Sequence, residues 1–168
     1  MIKKKIYQNS FFNGVKKEII DKLVKQYFEF VEYEKDSLII EENSNGDSVY
    51  LLLEGEILID KNLVPLFEDI EVKKEDKLIR SVTSDFNMFF GEMSLFDKNY
   101  LRTANIYSKS KVKLLQLTKS NFEKIMENEN NISTTIIRNI ALKLTKMLDD
   151  SYKENVKLIT AFTMALKS

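Results

Sequence analysis

The chain has 168 residues, a hydrophobic fraction of 43%, and 26 basic against 26 acidic side chains, which describes a soluble globular protein able to bury about two thirds of the surface its unfolded form exposes. It contains neither cysteine nor histidine, which removes disulfides, thiol chemistry, Ser-His-Asp catalysis and the usual ligands of zinc, haem and iron–sulfur centres. A formal charge of zero gives no electrostatic footprint for nucleic acid, and no run approaches the eighteen or so apolar residues of a membrane span, so a cytoplasmic protein with no nucleic-acid partner, no metal and no integral membrane segment is expected.

In chain order, residues 16–28 carry Ile19, Ile20, Leu23, Val24, Tyr27 and Phe28 in the paired spacing of an amphipathic helix. Short apolar or alternating runs follow at residues 30–33, 38–40, 48–53, 56–59, 70–72, 78–82, 104–107 and 112–117, separated by polar turns in the manner of a sandwich or jelly-roll. After Thr118 the helical period returns. Ser120 with Glu123 reads as a capping box for a short helix through Phe122, Ile125 and Met126. A longer helix carries Ile132, Ile136, Ile137, Ile140, Leu144, Met147 and Leu148 on one side; polar residues 149–155 interrupt the stripe and residues 156–166 resume it. Ile136, Ile140, Leu144 and Leu148 pack on the sandwich or form the seam of a dimer; both readings fit the spacing. The expected fold class is α+β: a β-sandwich or jelly-roll over residues 30–118, an N-terminal helical segment over 1–29, and C-terminal helices over 119–168, as a single domain.

The four glycines mark turns. Asn45-Gly46-Asp47 reads as a tight turn that uses the tolerance of Gly and Asn for positive φ, and Gly55 as a hairpin turn between two strands. Gly91 opens Phe90-Gly91-Glu92-Met93-Ser94-Leu95-Phe96, and Arg102-Thr103-Ala104 comes eleven residues after that glycine. Arginine occurs elsewhere only at 80 and 138, so each one is less apt to be surface filler. One helical turn offers free backbone N–H groups to an anion, an arginine fork adds charge-assisted bonds to phosphate oxygens, and Thr103 adds a hydroxyl. Glu92 disfavours phosphate but suits a sugar hydroxyl, so the ensemble reads as a cradle for a sugar phosphate.

On these residues, with Gly46-Asp47-Ser48-Val49-Tyr50 and Leu53-Glu54-Gly55-Glu56, residues 11–148 resemble the cyclic-nucleotide-binding domain family of catabolite activator proteins, kinase regulatory subunits and gated channels. The resemblance makes residues 90–104 a phosphate-binding cassette. It implies that Glu92 accepts the ribose 2′-OH, that Arg102 pairs with the cyclic phosphate, and that Thr103 and the backbone N–H groups around Gly91, Glu92, Met93 and Ser94 complete the cradle. The ligand implied is cAMP or cGMP, with no other cofactor and no catalysis. Departures from the family pattern are an extended segment carrying Pro65 and the charged run 68–77, Asn87 where a glycine is usual, and Met147 and Leu148 where bacterial members place a base-contacting hydroxyl, with Thr145 nearby. The chain ends about where the family's transcription factors begin a helix-turn-helix, so no DNA-binding domain is expected. The function expected is a stand-alone cyclic-nucleotide sensor, a homodimer signalling through its C-terminal helices to an effector protein. The alternative is a ligand-free oligomerisation module with a degenerate cassette. A cupin-type enzyme is opposed by the missing histidines.

Overall fold

The structure is a computed structural model that describes residues 2–62, 77–97 and 99–166. Two helices, α1 (Ile2–Gln8) and α2 (Lys17–Tyr27), precede eight strands: β1 (Glu29–Tyr33), β2 (Leu38–Ile40), β3 (Ser48–Glu54), β4 (Glu56–Asn62), β5 (Lys77–Thr83), β6 (Phe89–Phe90), β7 (Asn105–Ser108) and β8 (Val112–Thr118). Two more helices, α3 (Lys119–Asn128) and α4 (Asn130–Ala165), close the described chain. The strands form two antiparallel four-stranded sheets, ordered β1-β8-β3-β6 and β2-β7-β4-β5, which is the α+β jelly-roll sandwich with flanking helices expected from the sequence.

Strand β3 explains how the layers are held. Its run Val49-Tyr50-Leu51-Leu52-Leu53 is continuously apolar because both faces are covered, and strand periodicity sends alternate side chains to opposite faces. Val49, Leu51 and Leu53 join Phe11, Phe12, Phe28, Phe89, Leu115 and Leu117 under the helices. Tyr50 and Leu52 point the other way, into the sandwich, with Ile57, Val82, Phe90, Ile106 and Leu114. The first layer is closed by Ile20 and Leu23 from α2, Phe122 and Ile125 from α3, and Ile136 and Ile140 from α4, so every one of these helices owes its position to the outer face of one sheet.

Several expectations are corrected. Gly55 joins β3 in one sheet to β4 in the other, so it is a corner and not a hairpin turn. It adopts φ +91°, and a Cβ there would lie 2.4 Å from the Lys111 carbonyl oxygen. The hairpin is the next connection: β4 and β5 pair from Glu56 with Thr83 to Asn62 with Lys77. The extended segment 63–76, and with it the strand expected at 70–72, lies outside the described residues. Helix α3 is capped by Thr118, whose hydroxyl accepts from the Asn121 N–H at 3.2 Å, and Ser120 sits inside the first turn. Thr118 wins because it ends a strand and already has the extended backbone that an N-cap needs.

Two elements carry too little signal to be foreseen. Helix α1 has only seven residues and buries only Ile6, and β6 has only two. Both are fixed from outside. Buried Asn9 accepts from the Phe11 N–H and donates to the Met88 carbonyl, tying the N-terminal segment to the approach to β6. Helix α4 is continuous over 36 residues, about 54 Å at 1.5 Å per residue. The polar stretch 149–155 ends the buried stripe without ending the helix, since it holds neither glycine nor proline. Ile136 and Ile140 are buried and Leu144 packs against them, so these residues belong to the core, while Leu148 and the helical residues beyond it are exposed. Among the described residues, no helix is long and apolar enough to cross a membrane.

Candidate functional site

Between β5 and β7 lies the short strand β6, which pairs with β3. Asn87, at φ 47° and ψ 42°, takes the left-handed conformation that asparagine tolerates better than most side chains. Gly91, at φ +82°, repeats it after β6 and launches a single 3₁₀ turn over Glu92–Leu95. That turn, the start of β7, the inner face of β4 and β5, and one side of α4 enclose a cavity of about 370 Å³, within the range of about 300–1,000 Å³ typical of small-molecule sites.

Arg102 is the organising residue. It is only 6% exposed, and its guanidinium donates from Nη1 to the Gly91 carbonyl at 2.9 Å and from Nη2 to the Ser48 carbonyl at 2.8 Å. Two glycines make its berth. A Cβ on Gly46 would lie 2.9 Å from Nε and 2.4 Å from the Cβ of Ser94, and one on Gly91 would lie 2.7 Å from Nη1. The φ of Gly46 is not positive, so that glycine serves close approach rather than turn geometry. Both partners of the guanidinium are neutral carbonyls, and among the described residues no carboxylate lies within ion-pair distance of Arg102. Burial lowers its pKa from the ordinary value, while Tyr50, Asp47, Glu92 and Tyr100 oppose that shift from farther away. A guanidinium does not lose its proton in a protein, so the site keeps a positive charge.

Glu92 is 3% exposed and bonds through Oε1 to Lys143 Nζ at 2.7 Å. The same ammonium donates to the Phe89 carbonyl at 2.6 Å and stands 4.5 Å from the centre of the Phe89 ring. Desolvation lowers the Lys143 pKa, and the neighbouring Glu92 carboxylate partly offsets the shift. Gly91, Glu92, Met93, Arg102 and Thr103 all line the cavity. Ser94 does not: it is fully buried, and its hydroxyl donates to the Gly91 carbonyl at 2.8 Å, which holds the turn closed. Thr145 is exposed, donates to the Ala141 carbonyl and lies outside the lining. The same cavity is also lined by Ile40, Ile59, Arg80, Val82, Met88 and Met147, and by Lys146 and Asp150.

Lys143 is the residue that motif reading misses. Its signal is nevertheless present: it stands three residues after Ile140 and seven after Ile136, which puts a lysine on the apolar stripe of the helix. Arg80 is legible only after the register is known, since Ile57 opposite Val82 and Ile59 opposite Arg80 put it on the inward face of its hairpin.

The model of the family described as Cyclic nucleotide-binding domain matches residues 30–129. Similar solved structures include a cyclic nucleotide-binding domain from Methylobacillus flagellatus KT, 18% identical with TM-score 0.72, covering 91% of this chain and 79% of that one. Another is the catabolite activator protein of Thermus thermophilus, 20% identical with TM-score 0.74, covering 89% and 63%. A third is the regulatory domain of Toxoplasma gondii PKA in co-crystals with cAMP, 21% identical with TM-score 0.57, covering 74% and 42%. At these identities the likeness is one of fold, and the chain spans less than two thirds of the last two. The glycine berth has its own consequence: Gly46→Ala is expected to displace Ser94 or Arg102 and cost about 1–3 kcal/mol, read as a fall of about 3–10 °C in the thermal midpoint. An unchanged midpoint would show that the berth has slack.

Proposed function

The chain belongs to the cyclic nucleotide-binding domain family, and from that premise we propose that it is a regulatory module whose ligand is a 3′,5′-cyclic nucleotide, cAMP or cGMP, held at the Arg102 cavity. One observation carries the reading: Arg102 brings a full positive charge into a buried position and spends its bonds on neutral carbonyls. A buried charge without a counter-charge is costly. A phosphate oxygen in the cavity supplies that counter-charge, and the guanidinium fork suits it. Glu92, on the same wall, accepts the ribose 2′-OH, and Met93, Thr103 and the turn's backbone close around the phosphate. The apolar end at Ile40, Ile59, Val82, Met88 and Met147 takes the base. No catalytic group is required, and the output is a change in how α4 packs or pairs.

The second copy of this chain is the partner proposed for α4. Beyond the body of the protein its exposed residues Leu148, Tyr152, Ile159 and Phe162, with Leu166 just past its end, fall at the three- and four-residue steps of a coiled-coil seam, with Asn155 completing the row. This row, rather than Ile136, Ile140 and Leu144, is free to pair. The assembled sensor then acts in the cytoplasm on an effector protein.

A ligand of about 22 non-hydrogen atoms at about −0.3 kcal/mol per atom gives about −6.6 kcal/mol, a Kd on the order of ten micromolar. At about 100 times Kd it adds about 2.7 kcal/mol and raises the melting midpoint by about 5–10 °C. A scan with cAMP, cGMP and 5′-AMP is expected to shift with a cyclic nucleotide and not with 5′-AMP, and Arg102→Ala is expected to weaken binding by about 2–4 kcal/mol. No shift at millimolar concentration would leave the ligand-free oligomerisation module as the better account. Sedimentation of the parent is expected to give a dimer and of Ile159→Glu with Phe162→Glu a monomer; equal masses would remove the seam.

A further inference from the structure

Sulfur is unevenly placed in this chain. It has no cysteine, so methionine is the only sulfur that an oxidant can meet. Of its six methionines, Met88, Met93 and Met147 line the cavity that Arg102 also lines. They come from three places in the fold: the residue before β6, the 3₁₀ turn and α4. Met88 is half-buried, whereas Met93 is 41% and Met147 50% exposed, so these two side chains face solvent and ligand space at once. Met93 Sδ accepts from the Tyr100 hydroxyl at 3.0 Å, and Tyr100 belongs to the same lining.

Hydrogen peroxide oxidises a thioether by two electrons. A sulfur lone pair attacks one peroxide oxygen, the O–O bond breaks as the S–O bond forms, and the second oxygen leaves as water. A flexible apolar side chain becomes a polar sulfoxide. We propose that Met93 and Met147 are oxidation sites of this cavity, where hydrogen peroxide converts the thioethers to sulfoxides and lowers the affinity for the ligand; the loss of affinity rests on the function proposed above. At Met147 the new oxygen is an acceptor set into a lining that also holds Ile40, Ile59 and Val82, and a bound ligand would cut it off from water without supplying a donor. At Met93 the Tyr100 hydroxyl would bond an oxygen one bond farther out, so the present spacing of the pair no longer fits. A ligand in the cavity covers both sulfurs, so occupancy and oxidation oppose each other. A thiol-dependent methionine sulfoxide reductase reverses the step: two thiols become a disulfide and the oxygen leaves as water.

The test treats the full chain with millimolar hydrogen peroxide in thiol-free buffer, locates sulfoxides by peptide mass spectrometry, and measures cAMP and cGMP affinity by calorimetry before and after. The Kd of the parent is expected to rise about tenfold or more, and to return when the two epimer-specific methionine sulfoxide reductases are added with dithiothreitol. Saturating cyclic nucleotide is expected to slow oxidation at Met93 and Met147 and not at Met126 and Met164, which are exposed outside this cavity. In the variant Met93→Leu with Met147→Leu, peroxide is expected to change the variant's own untreated Kd by less than about twofold, since leucine fills similar volume without sulfur. A parent that carries sulfoxide at both positions and binds as before would overturn the inference. So would Met93 and Met147 staying reduced while Met126 and Met164 oxidise, a leucine variant that loses as much affinity as the parent, or a loss that the reductases do not reverse. The reductase arm uses the parent alone and decides even if the leucine variant does not fold. No binding by the untreated parent would remove the proposed function, and this inference with it.

Discussion

A guanidinium buried between two backbone carbonyls is the constraint around which this end of the molecule is arranged. Arg102 ties Ser48 at the start of β3 to Gly91 at the start of the cassette turn, so it joins the central strand of one sheet to the loop that closes the cavity. It fits only because Gly46 and Gly91 leave out the Cβ atoms that would collide with it. Neutral carbonyls hold the group in place without cancelling its charge. A salt bridge would hold it as firmly and remove its attraction for an anion. The berth therefore separates positioning from neutralisation, which is what a preformed anion site requires.

The rest of the fold serves that arrangement in layers. Strand β3 is buried on both faces, so its start, where Ser48 lies just after Gly46, has little freedom to move. Phe89 packs under the helices while its neighbour Phe90 stacks on Tyr50 inside the sandwich at 5.5 Å, fixing the residue that precedes Gly91 from both sides. The hydroxyl of Ser94 closes the turn from below. Helix α4 is held by Ile136 and Ile140 in the core and then by Lys143 in the cavity, after which it leaves the body. Core residues, a cavity-lining residue and an exposed apolar row thus succeed one another along a single helix.

Much of this is legible in the order of residues. The strand runs and the two terminal helical regions rest on local periodicity, which survives without knowledge of partners, and the segment from Gly91 to Arg102 stands out by its resemblance to the family's cassette. The features that escape sequence reading depend on which strands share a sheet. Gly55 looks like a hairpin glycine because two strands flank it, and only the sheet order shows that it turns a corner. Gly46 looks like a turn glycine, yet its requirement comes from Arg102, distant in the chain and in contact only after folding. Thr118 and Ser120 are both acceptable caps on residue type, and the strand end decides between them. Lys143 draws no notice as one lysine among many because its partner lies in the cassette; its signal is its place on the stripe of Ile136 and Ile140. The polar stretch 149–155 marks the end of burial rather than the end of helix, since side-chain polarity reports environment and only backbone breakers report a stop.

The most direct measurement of the central claim, that Arg102 is the charged end of a cyclic-nucleotide cradle, is a ¹H–¹⁵N NMR titration that includes the arginine side-chain Nε–H signals. Adding cAMP or cGMP should move the Arg102 Nε–H and the amides of residues 91–95 and 102–104 together, with a saturating curve, and leave the signal of Arg138, which does not line the cavity, unmoved. Saturating ligand with Arg102 and the turn unmoved, or shifts centred on another surface, would contradict the account.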